Sequence, residues 1–293
     1  MKTSMIFSLC VLILWASAAV AVPIPFTGVY TQNFDSMGTT GTAAPAGWTV
    51  YSLSGSHEDF SFWTAAGGYV THLPSDTPTA INVGPTGADT LSAALTTLTA
   101  VTGPTNQKAA VGYNLGLSAS SSDRALGTSP TGNAGMELEL DLTNNTGADM
   151  TSFNISYDIR RFTTTADNNT GYDAGPDKGI EELPGYWLFY SLDGGVTFTN
   201  VATLDPTLAG PTGIIVPNTV GVTNVPLTTV TLGSTWANGG NLTLRWFDDN
   251  AESPSPDQIL GLDNVDMSQT PEPATMSLLA LGALAILRKR SRK

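Results

Sequence analysis

Met136-Glu137-Leu138-Glu139-Leu140-Asp141-Leu142 is the stretch on which the fold turns. Apolar and acidic residues alternate strictly, and a period of two marks a β-strand, because successive side chains of an extended chain leave on opposite faces. Met136, Leu138, Leu140 and Leu142 share one face, and Glu137, Glu139 and Asp141 share the other. This predicts a half-buried strand with its carboxylates toward water. After a polar turn at 143–149 the alternation returns in Phe153, Ile155, Tyr157 and Ile159, and again in Leu242, Leu244 and Trp246. Residues 186–191 and 196–201 flank Leu192-Asp193-Gly194-Gly195, the pattern of a hairpin with a glycine-bearing turn. Leu260, Leu262 and the run to Met267 predict a last strand.

Upstream the pattern is weaker. Thr31-Gln32-Asn33-Phe34-Asp35 and Gly47-Trp48-Thr49-Val50-Tyr51 read as extended. Residues 75–110, rich in Thr, Ala, Gly and Pro, hold Leu91, Leu95 and Leu98 at helical spacing and suit either a short helix or a loop with one strand. A polar loop is expected over 163–184. With no helix of ordinary length in the body, the expected fold is all-β, an antiparallel sandwich of jelly-roll type over residues 22–268.

The chain of 293 residues carries a net charge of -13. Between Pro23 and Thr270, twenty-four acidic residues face six basic ones, Lys108, Arg124, Arg160, Arg161, Lys178 and Arg245. Nucleic-acid binding depends on Lys and Arg displacing counterions from phosphates, so nucleic acid is not an expected partner. Excess carboxylate suits solubility or divalent cations. The single cysteine, Cys10, lies in the N-terminal apolar run, which leaves the body without a disulfide or a thiolate metal site.

Both ends carry addresses. Lys2, an apolar run over 5–15 and the small residues Ala16-Ser17-Ala18 or Ala19-Val20-Ala21 fit a secretory signal peptide at 1–21. At 269–293, Pro271-Glu272-Pro273-Ala274-Thr275 leads into an apolar run to Leu287 and then Arg288-Lys289-Arg290-Ser291-Arg292-Lys293. As a helix, the run from Ala274 to Leu287 would span about 21 Å, short of a hydrocarbon core of about 30 Å. Arg288, Lys289 and Arg290 would hold its end at the cytoplasmic side, so the expected transmembrane helix is a marginal, temporary anchor.

These three parts in order closely resemble the PEP-CTERM sorting signal. That resemblance implies an exported bacterial protein, recognition of Pro271, Glu272 and Pro273 by a membrane-embedded exosortase, and removal of the tail. It also implies a place at the cell surface or in the exopolysaccharide of a biofilm matrix. Thr270 stands where the family often has Val. The body resembles a module of many secreted bacterial proteins through Ser122-Asp123-Arg124-Ala125-Leu126-Gly127, Leu142-Thr143-Asn144-Asn145-Thr146-Gly147, Ile155-Ser156-Tyr157, Leu244-Arg245-Trp246 and Leu262-Asp263-Asn264-Val265. That resemblance supports the sandwich and brings no chemistry with it.

Three candidate sites follow. Ser191-Leu192-Asp193-Gly194-Gly195-Val196-Thr197-Phe198 resembles the Asp-box hairpin of sialidases, although no second copy occurs and a locked turn explains it as well. Phe34-Asp35 with Gly47-Trp48, set against Gly261-Leu262-Asp263-Asn264-Val265, resembles the jelly-roll carbohydrate-binding modules. There the first and last strands lie together and acids on each hold calcium, which makes Asp35, Asp263 and Asp248 candidate ligands. If the body binds extracellular polysaccharide, Trp48, Trp63 and Trp236 are the candidate sugar platforms, while Trp246 in an alternating strand suits the core. Catalysis finds little support. His57 and His72 are the only histidines, no Gly-x-Ser-x-Gly or His-Glu-x-x-His motif occurs, and no carboxylate pair stands out.

Overall fold

The structure, a computed structural model, describes residues 22–54, 90–94, 98–102, 111–116, 121–130, 135–162, 185–205, 221–248 and 259–270. The strands are β1 (Ile24–Phe26), β2 (Val29–Gln32), β3 (Trp48–Ser54), β4 (Thr90–Ala94), β5 (Thr99–Thr102), β6 (Tyr113–Gly116) and β7 (Arg124–Thr128). They continue as β8 (Met136–Asn144), β9 (Met150–Arg161), β10 (Trp187–Ser191), β11 (Thr199–Asn200), β12 (Gly221–Trp236), β13 (Asn241–Asp248) and β14 (Leu260–Gln269). The short helix that was one option around Leu91–Leu98 is absent from the described residues there, which form β4 and β5. Thr90, Thr99, Val101 and Thr102 are β-branched and suit a pleated surface better than a helix.

Two seven-stranded sheets pack as a sandwich. The first runs β11-β10-β13-β8-β3-β4, with β1 also on β8; the second runs β12-β9-β14-β7-β6-β5, with β2 also on β14. Pairing is antiparallel except for β1 with β8 and β5 with β6. The chain thus lays its first two strands on different sheets. β1 pairs with β8 at Leu142–Asn144, just beyond the register in which Trp48 of β3 faces Leu140. β2 pairs with β14 at Val265–Ser268, beyond the stretch taken by β7. The expected meeting of the first and last strands is not formed by β1, which lies on β8; it is the second strand, β2, that pairs with β14. The expected hairpin is present too, with Phe189 opposite Asn200 and Tyr190 opposite Thr199.

Alternation decides which side chains enter the core. Leu138, Leu140 and Leu142 of β8 and Leu242, Leu244 and Trp246 of β13 project between the sheets and meet Phe153, Ile155, Tyr157 and Ile159 of β9 with Leu260, Leu262, Val265 and Met267 of β14. Each such side chain, taken from water to full burial, contributes roughly 1.5–3 kcal/mol, which is how a body without a disulfide holds together. A smaller cluster of Tyr113, Leu115, Ala125, Phe162 and Ile259 forms apart from the main core. Gly127 and Gly261 make it possible, because a Cβ on them would lie 2.2 Å from Leu115 and 2.8 Å from Phe162.

One expectation about β8 fails. Its second face is not open to water: Glu137, Glu139 and Asp141 are 0%, 4% and 7% exposed. The strand lies between β13 and β3, whose own outward side chains close over the acids, and a guanidinium supplies the charge that makes such burial tolerable.

Candidate functional site

The outward face of the first sheet gathers the buried acids around one cation. Register puts Glu137 opposite Phe247, Glu139 opposite Arg245 and Asp141 opposite Thr243, while Thr49 and Tyr51 of β3 flank Glu139 and Glu137 on the other side. Arg245 Nε donates to Glu139 Oε2 at 2.5 Å, and Arg245 Nη1 lies 3.3 Å from Glu137 Oε2. Tyr51 Oη donates to Glu139 Oε1 at 3.3 Å, and Thr243 Oγ1 donates to Asp141 Oδ1 at 2.6 Å. The guanidinium carbon sits 4.1 Å from the ring centre of Phe198 and 5.7 Å from that of Tyr51, a cation held between two aromatic faces.

Three carboxylates against one guanidinium leave the cluster short of positive charge. Neither oxygen of Glu137 accepts a hydrogen bond. Burial, outweighing the attraction of Arg245, pushes its carboxyl up to about 7. Asp141 is pushed up to about 6, again by burial first and by the neighbouring Glu139 second. Burial would lower Arg245, but Glu137 and Glu139 more than reverse that and keep it charged. The cluster therefore takes up protons close to neutral pH.

A second guanidinium serves the other sheet. Ile159 and Leu262 point into the core, so Arg160 and Asp263 stand on the outer side, where Arg160 Nη2 pairs with Asp263 Oδ2 and, at 2.7 Å, with Asp123 Oδ1. The register of β14 against β9 shifts between Asp263 and Asp266, and Asn264 adopts a positive φ of 48° there. The bulge turns the Asn264 N–H onto Asp263 Oδ1 at 2.7 Å. Asp263 is pushed up to about 6 by burial, against the pull of Arg160.

The hairpin after β10 is built by its own side chains. Asp193 Oδ1 accepts from Ser191 Oγ and from the Val196 and Thr197 N–H groups at 2.7, 3.0 and 2.9 Å, and Asp193 Oδ2 accepts from Thr197 Oγ1 at 2.6 Å. These donors hold the Asp193 carboxyl well below the usual carboxylate range. The Asp-box resemblance thus corresponds to a locked turn, and that turn walls a cleft of about 350 Å³ toward β12.

Two of the three candidate sugar platforms, Trp48 and Trp236, are buried. Trp48 is 4% exposed, stacks on Trp246 at 5.3 Å, meets Phe34 edge-on at 5.0 Å and donates from Nε1 to Tyr30 Oη at 2.6 Å. Trp236 is 1% exposed, packs on Phe26 at 5.4 Å and donates to the Gly240 carbonyl at 2.9 Å. Both rings belong to the core, because each indole N–H finds an internal acceptor and the ring is then free to be buried. Trp246 is core, as its strand position suggests. Trp63 lies outside the described residues, as do His57 and His72.

The three candidate calcium ligands sit among protein donors. Asp35 accepts from the Arg124 N–H at 2.9 Å and from Asn33 Nδ2 at 2.8 Å; Asp248 accepts from Thr128 Oγ1; Asp263 is held by Arg160 and Asn264. Asp35 accepts from the Arg124 N–H while Asp263 pairs with Arg160, which also pairs with Asp123, so the position between Asp123 and Asp263 is taken by a guanidinium. Among the described residues no three His, Cys, Asp or Glu side chains converge as a metal site. What sequence reasoning missed is Arg245, the partner of Glu137 and Glu139; its only signal was an arginine at an outward position of a strand with alternating apolar residues.

The second sheet runs up to the start of the tail. Gln269 still pairs with Phe153 in the second sheet, and Thr270 Oγ1 lies 2.8 Å from Ser152 Oγ. Residues 269–293 match the PEP-CTERM protein-sorting motif. The match supports export and sorting to the cell surface by exosortase, as the order of Pro271, Glu272, Pro273, apolar run and basic end implied. Among the described residues no helix is long and apolar enough to cross a membrane; residues 1–21 and 271–293 lie outside them. No curated protein matches the chain. Among solved structures, TmCBM61 in complex with beta-1,4-galactotriose is similar at 9% identity over 50% of this chain and 72% of that one, with a TM-score of 0.27. The Agl-KA catalytic domain is similar at 12% identity over 52% and 22%, with a TM-score of 0.23. Carbohydrate-binding modules from the beta-sandwich super family are similar at 11% identity over 86% and 95%, with a TM-score of 0.26.

Proposed function

We propose that this protein is a structural and adhesive component of the cell surface or extracellular matrix, one that holds on to extracellular polysaccharide after its tail has been processed. The observation that carries the reading is the junction at residues 269–270, where the sorting motif begins on the last paired residue of β14. A removable tail fused directly to a sheet makes the sandwich itself the delivered product. Its acidic, cysteine-free surface suits a hydrated matrix, where it stays soluble and repels other anionic surfaces.

Two measurements test this. Replacing Pro271, Glu272 and Pro273 by alanine should leave the protein in the membrane fraction at its unprocessed mass, whereas normal release of that variant would remove exosortase from the account. A pull-down of the full chain with matrix and reference polysaccharides should retain it on at least one of them. Failure on every neutral and acidic glycan would leave the adhesive reading without support.

A further inference from the structure

The cleft between the Asp193 hairpin and β12 has a wall chemistry that the sorting and core-building roles do not use. At about 350 Å³ it lies at the small end of the range of ligand pockets, roughly 300–1,000 Å³. Its floor joins the two sheets: the Gly233 N–H donates to Tyr190 Oη at 2.7 Å, and a Cβ at position 233 would sit 3.3 Å from that oxygen. Leu192 and the Tyr190 ring supply an apolar wall, while Thr199 and Ser234 bring hydroxyls to the rim. The remaining wall is Asp193 with Thr197, both exposed and fixed in place by the turn that Asp193 locks.

We propose that this cleft takes one neutral, hydroxyl-rich sugar residue at the end of a glycan chain; the assignment rests on the polysaccharide reading above and gives it an address. Among the described residues Asp193 Oδ2 accepts a hydrogen bond only from Thr197, so it keeps lone pairs for the hydroxyls of a diol, and no described Lys or Arg lines the cleft. A carboxylate without a cation beside it repels uronate, sulfate and phosphate groups and accepts from neutral hydroxyls. An apolar wall opposite a polar rim matches the two sides of a pyranose ring. Because the turn is already rigid, little ordering opposes binding.

The test uses the full chain in mild detergent, with the methyl glycosides of glucose, galactose and mannose and with glucuronate as probes, read by saturation-transfer NMR and calorimetry. At least one neutral glycoside should bind in the millimolar range, with glucuronate at least tenfold weaker. Ser234→Trp, at an exposed position on β12, should weaken that binding at least tenfold with an unchanged melting temperature. If the tryptophan disturbs folding, Thr199→Glu should give the same loss through added charge. Equal binding of glucuronate, or neutral binding indifferent to both variants, would overturn the assignment. If no glycoside binds while the chain is still retained on polysaccharide, the cleft is wrong and the adhesive reading stands. If both fail, both fall.

Discussion

The two arginine centres repeat one device under different cover. On the first sheet Arg245 serves Glu137 and Glu139, each at most 4% exposed by residue, whereas on the second sheet Arg160 serves a fully buried Asp263 and an Asp123 whose side chain is 52% exposed. Sealed from water, the Arg245 cluster keeps Glu137 without a hydrogen bond. At the Arg160 centre, solvent shares the work through Asp123. Cover, more than the pairing itself, sets how much each arginine matters.

The largest expected effect falls on the sealed side. Arg245→Met should cost about 3–5 kcal/mol in a denaturant melt, because it strands Glu139 and Glu137 in a dry environment. Arg160→Met should cost about half as much by the same reasoning, since only Asp263 is left buried. Equal losses for the two would break the comparison. In the opposite direction, Glu137→Met should stabilise the protein by about 3 kcal/mol at pH 8, since each unit of displaced pKa corresponds to about 1.4 kcal/mol. That gain should fade as pH drops below 4.5, the range over which Glu137 becomes protonated in the unfolded chain as well.

The same shifts set the response of the native chain to pH. Glu137, Asp141 and Asp263 all have folded values raised above their unfolded ones, to about 7, 6 and 6. Their stabilising contribution is complete below the unfolded values and is lost as pH rises through 6 to 7. The melting temperature should fall by about 5 °C or more between pH 5 and pH 8, and about half of that fall should be removed by Glu137→Met, the rest belonging to Asp141 and Asp263. A melting temperature that rises over this interval would show that the carboxylates are better paired than the geometry allows. Smaller still, Asp193→Ala should cost about 1 kcal/mol through the loss of the turn's hydrogen bonds. Asp123→Asn, at the open centre, should cost less than about 1 kcal/mol.

Much of the sandwich was legible from alternation alone. The strands at 136–142, 153–159, 242–246 and 260–267 stand where the pattern places them, within longer elements. β12 was not foreseen: Pro226 and Gly233 interrupt it, and its register against β9 shifts between Val225 and Thr228, so no simple period runs through it. The tryptophan platforms misled for a related reason. An indole at the end of a strand next to a loop looks the same in sequence whether or not Tyr30 or Gly240 waits to accept its N–H.

The sequence by itself determined the address and the periodicity: the tail at 269–293, and which residues of β8 share a face. Only the tertiary structure decided what each face meets. Alternation is a property of the extended backbone, local and readable, but it says nothing about cover. That depends on Arg245 arriving opposite Glu139 from across the sheet, about a hundred residues later, and on the rings of Tyr51 and Phe198 closing on its guanidinium. A row of acids that reads as a wet surface became a dry charge cluster because a single counter-charge and two aromatic rings reached it through space.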